Sequence, residues 1–293
     1  MVGSLDAGAN LSAEALAEVE APAYKTGRRS IQFTQTTLST RRHFVLNIVL
    51  PIAGRGSRFA DAGYTQPKPL IPVHGVPMIE TVVRNIRPRR PHRFIFVALC
   101  EHLEHMGMRD TLERAAPGCL VVPVNEVTQG AACTVLLARE HIDTDDPLML
   151  ANSDQWVDVE IERYLESMDR NRADGLIMTM KAADAKWSYV GLDLAGLVTR
   201  VVEKQVISDE ATVGIYNFRR GRDFVRAADR MIERNLRVNG EFYVAPVYNE
   251  LINEGARITI HNVGSEGHGM YGLGIPDDLT RFLAEPVSLK AVA

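Results

Sequence analysis

Two glycines and two fixed cations stand close together near residue 60. The run Ala53-Gly54-Arg55-Gly56-Ser57-Arg58 follows an apolar segment, and Lys68 comes ten residues after Arg58, between two prolines. Glycines directly after a strand let the backbone approach a phosphate chain and point its N–H groups at it. Arg58 and Lys68 would place positive charge on a triphosphate, so we predict that both are catalytic. The alternative is a flexible turn with a surface arginine, which the position of Lys68 between Pro67 and Pro69 disfavours.

The glycine loop differs from two common phosphate-binding motifs. No Gly-Lys-Ser/Thr follows it, which excludes a Walker A loop. Phe59 stands where a dinucleotide fingerprint would have its third glycine, which excludes that motif. The sequence therefore points to a nucleotide loop of another type.

A second chemical feature is the carboxylate of Asp154, which ends the motif Leu148-Met-Leu-Ala-Asn152-Ser-Asp154. Open α/β sheets bind ligands at the carboxyl ends of their strands. Mg²⁺ takes one or two protein carboxylates and completes its shell with phosphate oxygens and water. We therefore predict that Asp154 holds Mg²⁺ against a triphosphate. The alternative is that Asp154 caps the next helix, since aspartate is a favoured cap.

The elements that must position these residues alternate in the first half of the chain. A near-continuous apolar run such as Phe44-Val-Leu-Asn-Ile-Val-Leu50 is typical of a buried parallel strand. Strands separated by helices of this length indicate βαβ units and a sheet covered on both faces. The predicted strands span residues 44–50, 93–99, 120–124 and 147–151, and the predicted helices span residues 78–86, 102–115 and 131–140.

The second half changes to short strands with few helices, which predicts a more antiparallel sheet. Two helices and a last strand follow them. The predicted strands here are 175–181, 189–194, 197–202, 212–218 and 257–263, and the predicted helices are 222–235 and 244–253.

Bulk composition limits the function classes. The net charge of −4 gives no overall basic field, so we expect no nucleic acid partner. No apolar stretch approaches the length of about 20 residues that spans a bilayer, so we expect no membrane partner. Three widely spaced cysteines form no disulfide framework, which favours the cytoplasm.

Residues 1–43 have no apolar periodicity beyond one short Ala/Glu-rich stretch, so we predict a flexible N-terminal arm before one domain, residues 44–293.

The glycine loop and the Lys68-Pro-Leu segment resemble the sugar-nucleotide pyrophosphorylase family, which includes the glucose-1-phosphate thymidylyltransferases. The resemblance extends from about Phe44 to about Leu283. It implies a GT-A-like, Rossmann-related α/β fold with a mixed sheet and helices on both faces. It also implies a Mg²⁺-dependent nucleotidyltransferase, which moves NMP from an NTP to a phosphorylated acceptor, such as a sugar 1-phosphate, and releases pyrophosphate.

The resemblance also assigns binding residues. Arg58 would hold the β- and γ-phosphates, and Lys68 the phosphates near the reacting centre. Glu203 would bind sugar hydroxyls, and Lys204 the acceptor phosphate. Around Gln129 and Gly130 an ordinary loop entering a helix fits the residues as well as the family's base-binding turn does. The implied nucleotide-binding residues are Ala53, Gly54, Gly56, Gln129 and Gly130, and the implied acceptor-binding residues are Gly191, Glu203, Lys204, Gly214 and Tyr216.

One departure from the family leaves the acceptor open. Hexose-specific members carry a second metal-binding aspartate where this chain has Pro246, so Asp154 acts alone or Glu241 substitutes. The segment Phe242-Tyr-Val-Ala-Pro-Val-Tyr resembles a branch associated with capsule and surface polysaccharides.

Two alternatives stay open: a GT-A-like glycosyltransferase, and a nucleotide- or sugar-binding module without catalysis. The base, the acceptor and a homo-oligomeric state are not determined by the sequence.

Overall fold

The computed structural model describes residues 44–293, except for the side chain of His105. The predicted N-terminal arm, residues 1–43, lies outside the described residues. Thirteen strands occur in the described part. They are β1 Leu46–Pro51, β2 Pro72–Val73, β3 Val76–Pro77, β4 His92–Leu99, β5 Leu120–Val124, β6 Leu148–Ala151, β7 Gln155–Val157, β8 Gly175–Lys181, β9 Ser188–Leu192, β10 Val198–Glu203, β11 Glu210–Phe218, β12 Ile258–Glu266 and β13 Gly269–Gly272.

Ten α-helices occur in the same part of the chain, nine of them between strands and the last after β13. Two short 3₁₀ helices, Lys68–Leu70 and Pro286–Ala291, accompany them. The α-helices are α1 Ser57–Asp61, α2 Met78–Ile86, α3 Cys100–His105, α4 Met108–Ala115, α5 Ala131–Leu136, α6 Arg139–Ile142, α7 Ile161–Asn171, α8 Gly221–Glu233, α9 Val247–Asn253 and α10 Pro276–Ala284.

Within residues 44–293, eleven strands form one mixed sheet, in which nine follow the order β5-β4-β1-β6-β11-β8-β12-β13-β7. The first four of these pair in parallel, as βαβ units require. β11 then pairs antiparallel with both β6 and β8. The hairpin β9–β10 joins through β9, which pairs with β11. The sheet therefore has a parallel half and a mainly antiparallel half that meet at β6 and β11.

Both faces of the sheet are buried, as the alternation along β1 demonstrates. Ile48 and Leu50 point into a core formed with α2, α4 and α7, whereas Val49 points into a core formed with α5, α8 and α9. Successive side chains of a strand point to opposite faces, so a strand buried on both faces needs a continuous apolar run. The predicted fold class, a mixed α/β sheet with helices on both faces, is confirmed.

Most predicted elements occur within one to three residues of their expected ends, but two predicted helices are broken. The helix expected over 102–115 divides into α3 and α4 at Gly107, which has a left-handed φ of 66°. The helix expected over 131–140 ends at Leu136, and α6 follows it. The structure also contains α7, β7 and β13, which the sequence patterns did not predict.

None of the helices in the described part of the chain has the length and apolar character that crossing a membrane requires. The longest helix in residues 44–293, α8, has 13 residues and packs its apolar face on the sheet.

Candidate functional site

A cavity of about 680 Å³ opens across the junction of the two halves of the sheet. This volume lies in the range of small-molecule sites. Arg58 and Asp154 line it from the parallel half, and Glu203 and Lys204 line it from the antiparallel hairpin. The structure thus brings together residues that lie up to about 150 positions apart in the sequence.

The glycine loop links β1 to α1. Ala53 is buried at the end of the strand, whereas Gly54 is exposed and a Cβ there would meet no atom within 4 Å. Gly56 has a left-handed φ of 63°, and a Cβ on it would lie 3.2 Å from the Cβ of Lys68. Gly56 therefore permits both the turn into α1 and the close approach of Lys68.

Lys68 and Asp154 form an ion pair at the parallel end of the cavity. The 3₁₀ helix Lys68–Leu70 begins after Pro67, and the Lys68 ammonium donates a hydrogen bond to Asp154 Oδ2 at 2.8 Å. The two side chains are 24% and 26% exposed, so a ligand can still reach them. Within residues 44–293, the nearby Arg58 guanidinium has no acidic partner. The predicted cations and carboxylate therefore share one location.

Asp154 lies in the turn between β6 and β7, and not at the start of a helix. The alternative interpretation of Asp154 as a helix cap is therefore wrong. The main-chain oxygen of Asp154 accepts a hydrogen bond from Leu273 N at 2.7 Å. A Cβ on Gly274 would lie 2.8 Å from Asp154 Oδ2, so a side chain at position 274 would displace the carboxylate.

The donor set at Asp154 fits a magnesium ion that is held mainly by substrate. No group of three or more His, Cys, Asp or Glu side chains in the described chain could hold a metal without other ligands. One partly exposed carboxylate is compatible with Mg²⁺, which takes its remaining ligands from phosphates and water. Glu241, the predicted substitute ligand, lies where its charge acts on Glu203 and Lys204. Pro246 begins α9.

The predicted base-binding turn packs directly against the segment that precedes α9. Gly130 has a φ of 126°, and a Cβ on it would lie 2.5 Å from the main-chain oxygen of Phe242. Phe242 N donates to Gln129 O at 2.8 Å, and Ala132 N donates to Phe242 O at 3.1 Å. Ala131 lines the cavity. The turn is thus fixed by main-chain pairing, and its glycine is required by close backbone contact.

Glu203 is the last residue of β10 at the other side of the cavity, and Lys204 follows it. Glu203 is only 8% exposed, and its carboxylate accepts a hydrogen bond from the hydroxyl of Ser188. Burial raises the pKa of Glu203, although Ser188 and Lys204 act in the opposite direction. The ammonium of Lys204 donates to the hydroxyl of Tyr243 at 2.6 Å, and this bond is the main cause that raises the pKa of Lys204.

Gly214 and Tyr216 line the cavity from β11, but Gly191 does not. Gly214 has a φ of 83°, and a Cβ on it would lie 2.3 Å from Asn152 Nδ2, so it lets β11 pass close to the turn before Asp154. The Tyr216 hydroxyl bonds to Thr212 Oγ1 at 2.9 Å. Gly191 lies beside the Arg200 side chain in a separate open depression. Its assignment as an acceptor residue stays a prediction that the geometry does not support.

Several lining residues were not assigned a role by the sequence analysis. Tyr243 lies within the segment Phe242-Tyr-Val-Ala-Pro-Val-Tyr and Ser188 begins β9, yet their contacts with Lys204 and Glu203 depend on tertiary structure. Asp278 lies in the first turn of α10 and gives no sequence signal beyond that of a helix start. Lys186 is a further lining residue of this kind.

Comparisons with known proteins agree with this geometry. Residues 47–237 match the model of the nucleotidyl transferase family. The structure is similar to that of a nucleoside-diphosphate-sugar pyrophosphorylase from Vibrio cholerae, with a TM-score of 0.68 and 26% identity over 81% of this chain and 100% of the other. It shares its fold with a UDP-glucose pyrophosphorylase from Acinetobacter baumanii, with a TM-score of 0.63 and 15% identity over 84% of this chain and 97% of the other.

The curated relatives are longer than this chain. The bifunctional protein GlmU of Ralstonia pickettii is 25% identical over 219 residues, which are 73% of this chain and 46% of that protein. The chain therefore spans about half the length of the curated relatives it matches.

Proposed function

The chain belongs to the nucleotidyl transferase family, and we propose that it transfers a nucleoside monophosphate from a nucleoside triphosphate to a small phosphorylated acceptor and releases pyrophosphate. We favour a sugar 1-phosphate as the acceptor, since the similar Vibrio cholerae protein is a nucleoside-diphosphate-sugar pyrophosphorylase. One observation carries the proposal: Arg58, Asp154, Glu203 and Lys204 line the same cavity.

The parallel end of the cavity suits a triphosphate. The loop from Ala53 to Gly56 offers main-chain N–H groups, and Arg58 offers a guanidinium without an acidic partner among the described residues. Lys68 adds a second cation, which already lies beside Asp154. Gln129 and Gly130 would hold the base, because their turn is fixed by the main chain of Phe242. These contacts support binding of an extended, highly charged nucleotide.

The antiparallel end suits the acceptor. Lys204 presents an ammonium for the acceptor phosphate, and Glu203 presents a buried carboxyl for hydroxyl groups. Gly214 and Tyr216 complete this wall. The acceptor's exact structure, and the link to capsule or surface polysaccharides, stay predictions.

The reaction would be an in-line displacement. An oxygen of the acceptor phosphate attacks the α-phosphorus, the bond from that phosphorus to the β-phosphate oxygen breaks, and the electron pair leaves with pyrophosphate. A phosphate monoester has a second pKa of about 6, so at pH 7 it is largely ionised and needs no general base. Arg58 and Lys68 would balance the charge that accumulates on pyrophosphate, and Lys204 would align the attacking group.

Asp154 would hold Mg²⁺. The ion would supply positive charge to the triphosphate oxygens. Lys68 must then release at least part of its bond to Asp154 and turn to the phosphates, which its flexible four-carbon side chain allows.

The glycosyltransferase alternative is disfavoured by the family match and by the surroundings of Asp158. Asp154 and Asp158 do not form the Asp-x-Asp element that such enzymes usually use. The Asp158 carboxylate pairs with Lys290 at 3.1 Å instead.

Unpaired thiols at Cys100, Cys119 and Cys133 support a cytoplasmic location.

The proposal is tested by measuring pyrophosphate release for four NTPs against a panel of sugar 1-phosphates and other phosphorylated acceptors, with Mg²⁺. We expect one NTP and acceptor pair to give clear turnover. Lys68→Ala and Asp154→Ala should each lower kcat by roughly 10²-fold or more, because each removes charge or metal binding at the reacting phosphates. Calorimetry should show that Asp154→Ala also loses the Mg²⁺-dependent part of nucleotide binding.

Lys290→Ala is the matched control, because it breaks an ion pair with an aspartate outside the cavity. It should retain the wild-type rate. Near-normal turnover of both site variants would contradict the proposal. Nucleotide binding without turnover over the whole panel would favour the non-catalytic binding module.

A further inference from the structure

The segment Glu241–Val244 forms part of the wall of the cavity. It follows the match to the family model, which stops at residue 237, and it stands just before Pro246, where hexose-specific members of the resembled family carry an aspartate. Glu241, Tyr243 and Val244 line the cavity, and Phe242 is buried with 1% exposure. The segment therefore has contacts with both proposed binding sites.

Tyr243 holds the side chain of Lys204 by two contacts. The ammonium of Lys204 donates a hydrogen bond to the Tyr243 hydroxyl at 2.6 Å, and it lies 4.9 Å from the centroid of the ring. Lys204 itself has a left-handed φ of 55°, which is uncommon outside glycine. Its main-chain N–H donates to Trp187 O at 3.1 Å. Both the backbone and the tip of Lys204 are therefore fixed.

The partner of Lys204 is neutral, and this distinguishes it from Lys68. Among the described residues no carboxylate forms an ion pair with Lys204, although the charges of Glu203 and Glu241 act on it. An ammonium has three donors, so one bond to Tyr243 leaves two for an incoming phosphate. A phosphate can bind there without first breaking an ion pair.

Tyr243 is in turn held by its neighbour. Phe242 N donates to Gln129 O at 2.8 Å, and Ala132 N donates to Phe242 O at 3.1 Å. The guanidinium of Arg237 covers the Phe242 ring at 4.2 Å from its centroid. The main chain beside Tyr243 is thus paired with the turn that we assign to the nucleotide base.

From these contacts we propose that Tyr243 is a positioning residue, which fixes the Lys204 ammonium for the acceptor phosphate and is itself anchored to the nucleotide turn through Phe242. The inference rests on the proposed function of Lys204. A free lysine side chain has large rotamer freedom that binding must remove. Holding it in advance reduces that loss, so Tyr243 improves acceptor binding without touching the reacting atoms.

The test compares Tyr243→Phe, which removes the hydroxyl and keeps the ring, with wild type in steady-state kinetics and calorimetry. We expect the acceptor KM and Kd to rise roughly three- to tenfold, the range of one lost hydrogen bond. The nucleotide KM and kcat should stay within about twofold, because the lost contact would act equally in the ground state and the transition state. Tyr243→Leu, which removes the ring as well, should raise the acceptor KM further.

A second measurement does not depend on turnover. Acylation of Lys204 by an amine reagent, followed across pH by peptide mass spectrometry, reports the pKa of its ammonium. The Tyr243 bond is the main cause that raises this pKa, so Tyr243→Phe should move the labelling midpoint to lower pH. Tyr271→Phe is the control, since Tyr271 packs against Trp156 and Phe282 outside the cavity.

Three results would overturn the inference: an unchanged acceptor KM in Tyr243→Phe, an equal rise of both substrate KM values, or an unchanged labelling midpoint. Thermal unfolding of each variant verifies that it folds. A wild-type protein without pyrophosphate release would refute the proposed function instead, and the labelling midpoint would then decide whether Tyr243 holds Lys204.

Discussion

Glu203 is a carboxyl group that the fold buries without an ion pair among the described residues. Its partner is the Ser188 hydroxyl, and burial is the largest influence on its pKa. Burying a carboxylate in this way disfavours its charged form. A residue that opposes stability and lies in a cavity is more consistent with ligand binding than with a structural role.

The buried position of Glu203 predicts how stability depends on pH. Its pKa in the folded protein is raised above the usual value of 4.5, so between these two values the folded state binds more protons than the unfolded state. The contribution of Glu203 to stability therefore falls as pH rises through this window and stays low above it. Glu203→Gln cannot ionise, so its stability lacks this dependence on pH. The free energy of unfolding of Glu203→Gln minus that of wild type should therefore be larger at pH 8 than at pH 4.

Chemical unfolding of both proteins at the two pH values measures this difference. An equal difference in the free energy of unfolding at pH 4 and pH 8 would contradict the assignment of burial as the dominant influence. The same substitution should weaken acceptor binding, since it changes a group in the proposed acceptor site.

Residue types alone predicted some of the site and not the rest. Lys68 and Asp154 stand in motifs whose local pattern already indicates phosphate and metal chemistry, and the structure places them in contact. The bond from Lys204 to Tyr243 joins residues 39 positions apart and has no local pattern. Such contacts depend on how the segment before α9 packs against the hairpin, which a short stretch of sequence does not determine.

At the scale of elements, α9 completes the edge of the hairpin. Among the described strands, β10 pairs only with β9, so its other side would expose main-chain groups. The side chain of Asn249 on α9 substitutes for a neighbouring strand there. Its Oδ1 accepts from Val201 N and its Nδ2 donates to Val201 O, both at 2.8 Å. This side chain thus fixes the strand two residues before Glu203.

Asn249→Ala should therefore destabilise the protein by about 2 kcal/mol, because it leaves two main-chain groups of Val201 without partners. It should also raise the acceptor KM, since the end of β10 carries Glu203 and Lys204. Asn253→Ala on the same helix is the control, because Asn253 is exposed at its end. Equal unfolding midpoints for the two variants would contradict this role of Asn249.

The turn before α5 depends on Gly130 for a related reason. A Cβ at this position would contact both the oxygen and the nitrogen of Phe242, at 2.5 and 2.6 Å, and its φ of 126° is rare for other residues. Gly130→Ala should lower the free energy of unfolding by more than about 2 kcal/mol and raise the nucleotide KM. Gly118→Ala, where φ is 76° and no atom lies within 4 Å, should cost about 1 kcal/mol and leave the KM unchanged.

Element boundaries were harder to predict than element types. The apolar period of α3 and α4 continues through Gly107, so one helix was expected over both. β7 and β13 have only three and four residues, too few to display the alternation of a strand, and two of the four residues of β13 are glycines. They exist because they pair with each other at the sheet edge, which is a tertiary condition.

At the scale of the whole molecule, the described part of the chain is built around one eleven-stranded sheet, which has a parallel half and a mainly antiparallel half. The sequence predicted this change, since helices alternate with strands up to residue 151 and short strands follow. It did not predict that β11, with all nine residues buried, would join the two patterns by pairing with β6, β8 and β9. That pairing places the two ends of the cavity at one junction.

The placement of the hairpin β9–β10 has a consequence for how such proteins diversify. It is attached at the side of the sheet, outside the parallel core that carries the glycine loop and Asp154. Substitutions within the hairpin therefore leave unaltered the parallel strands that precede the glycine loop and Asp154. To change the acceptor of the proposed reaction, substitutions should therefore begin in the hairpin and in the segment Glu241–Val244, and the parallel half should be left unchanged.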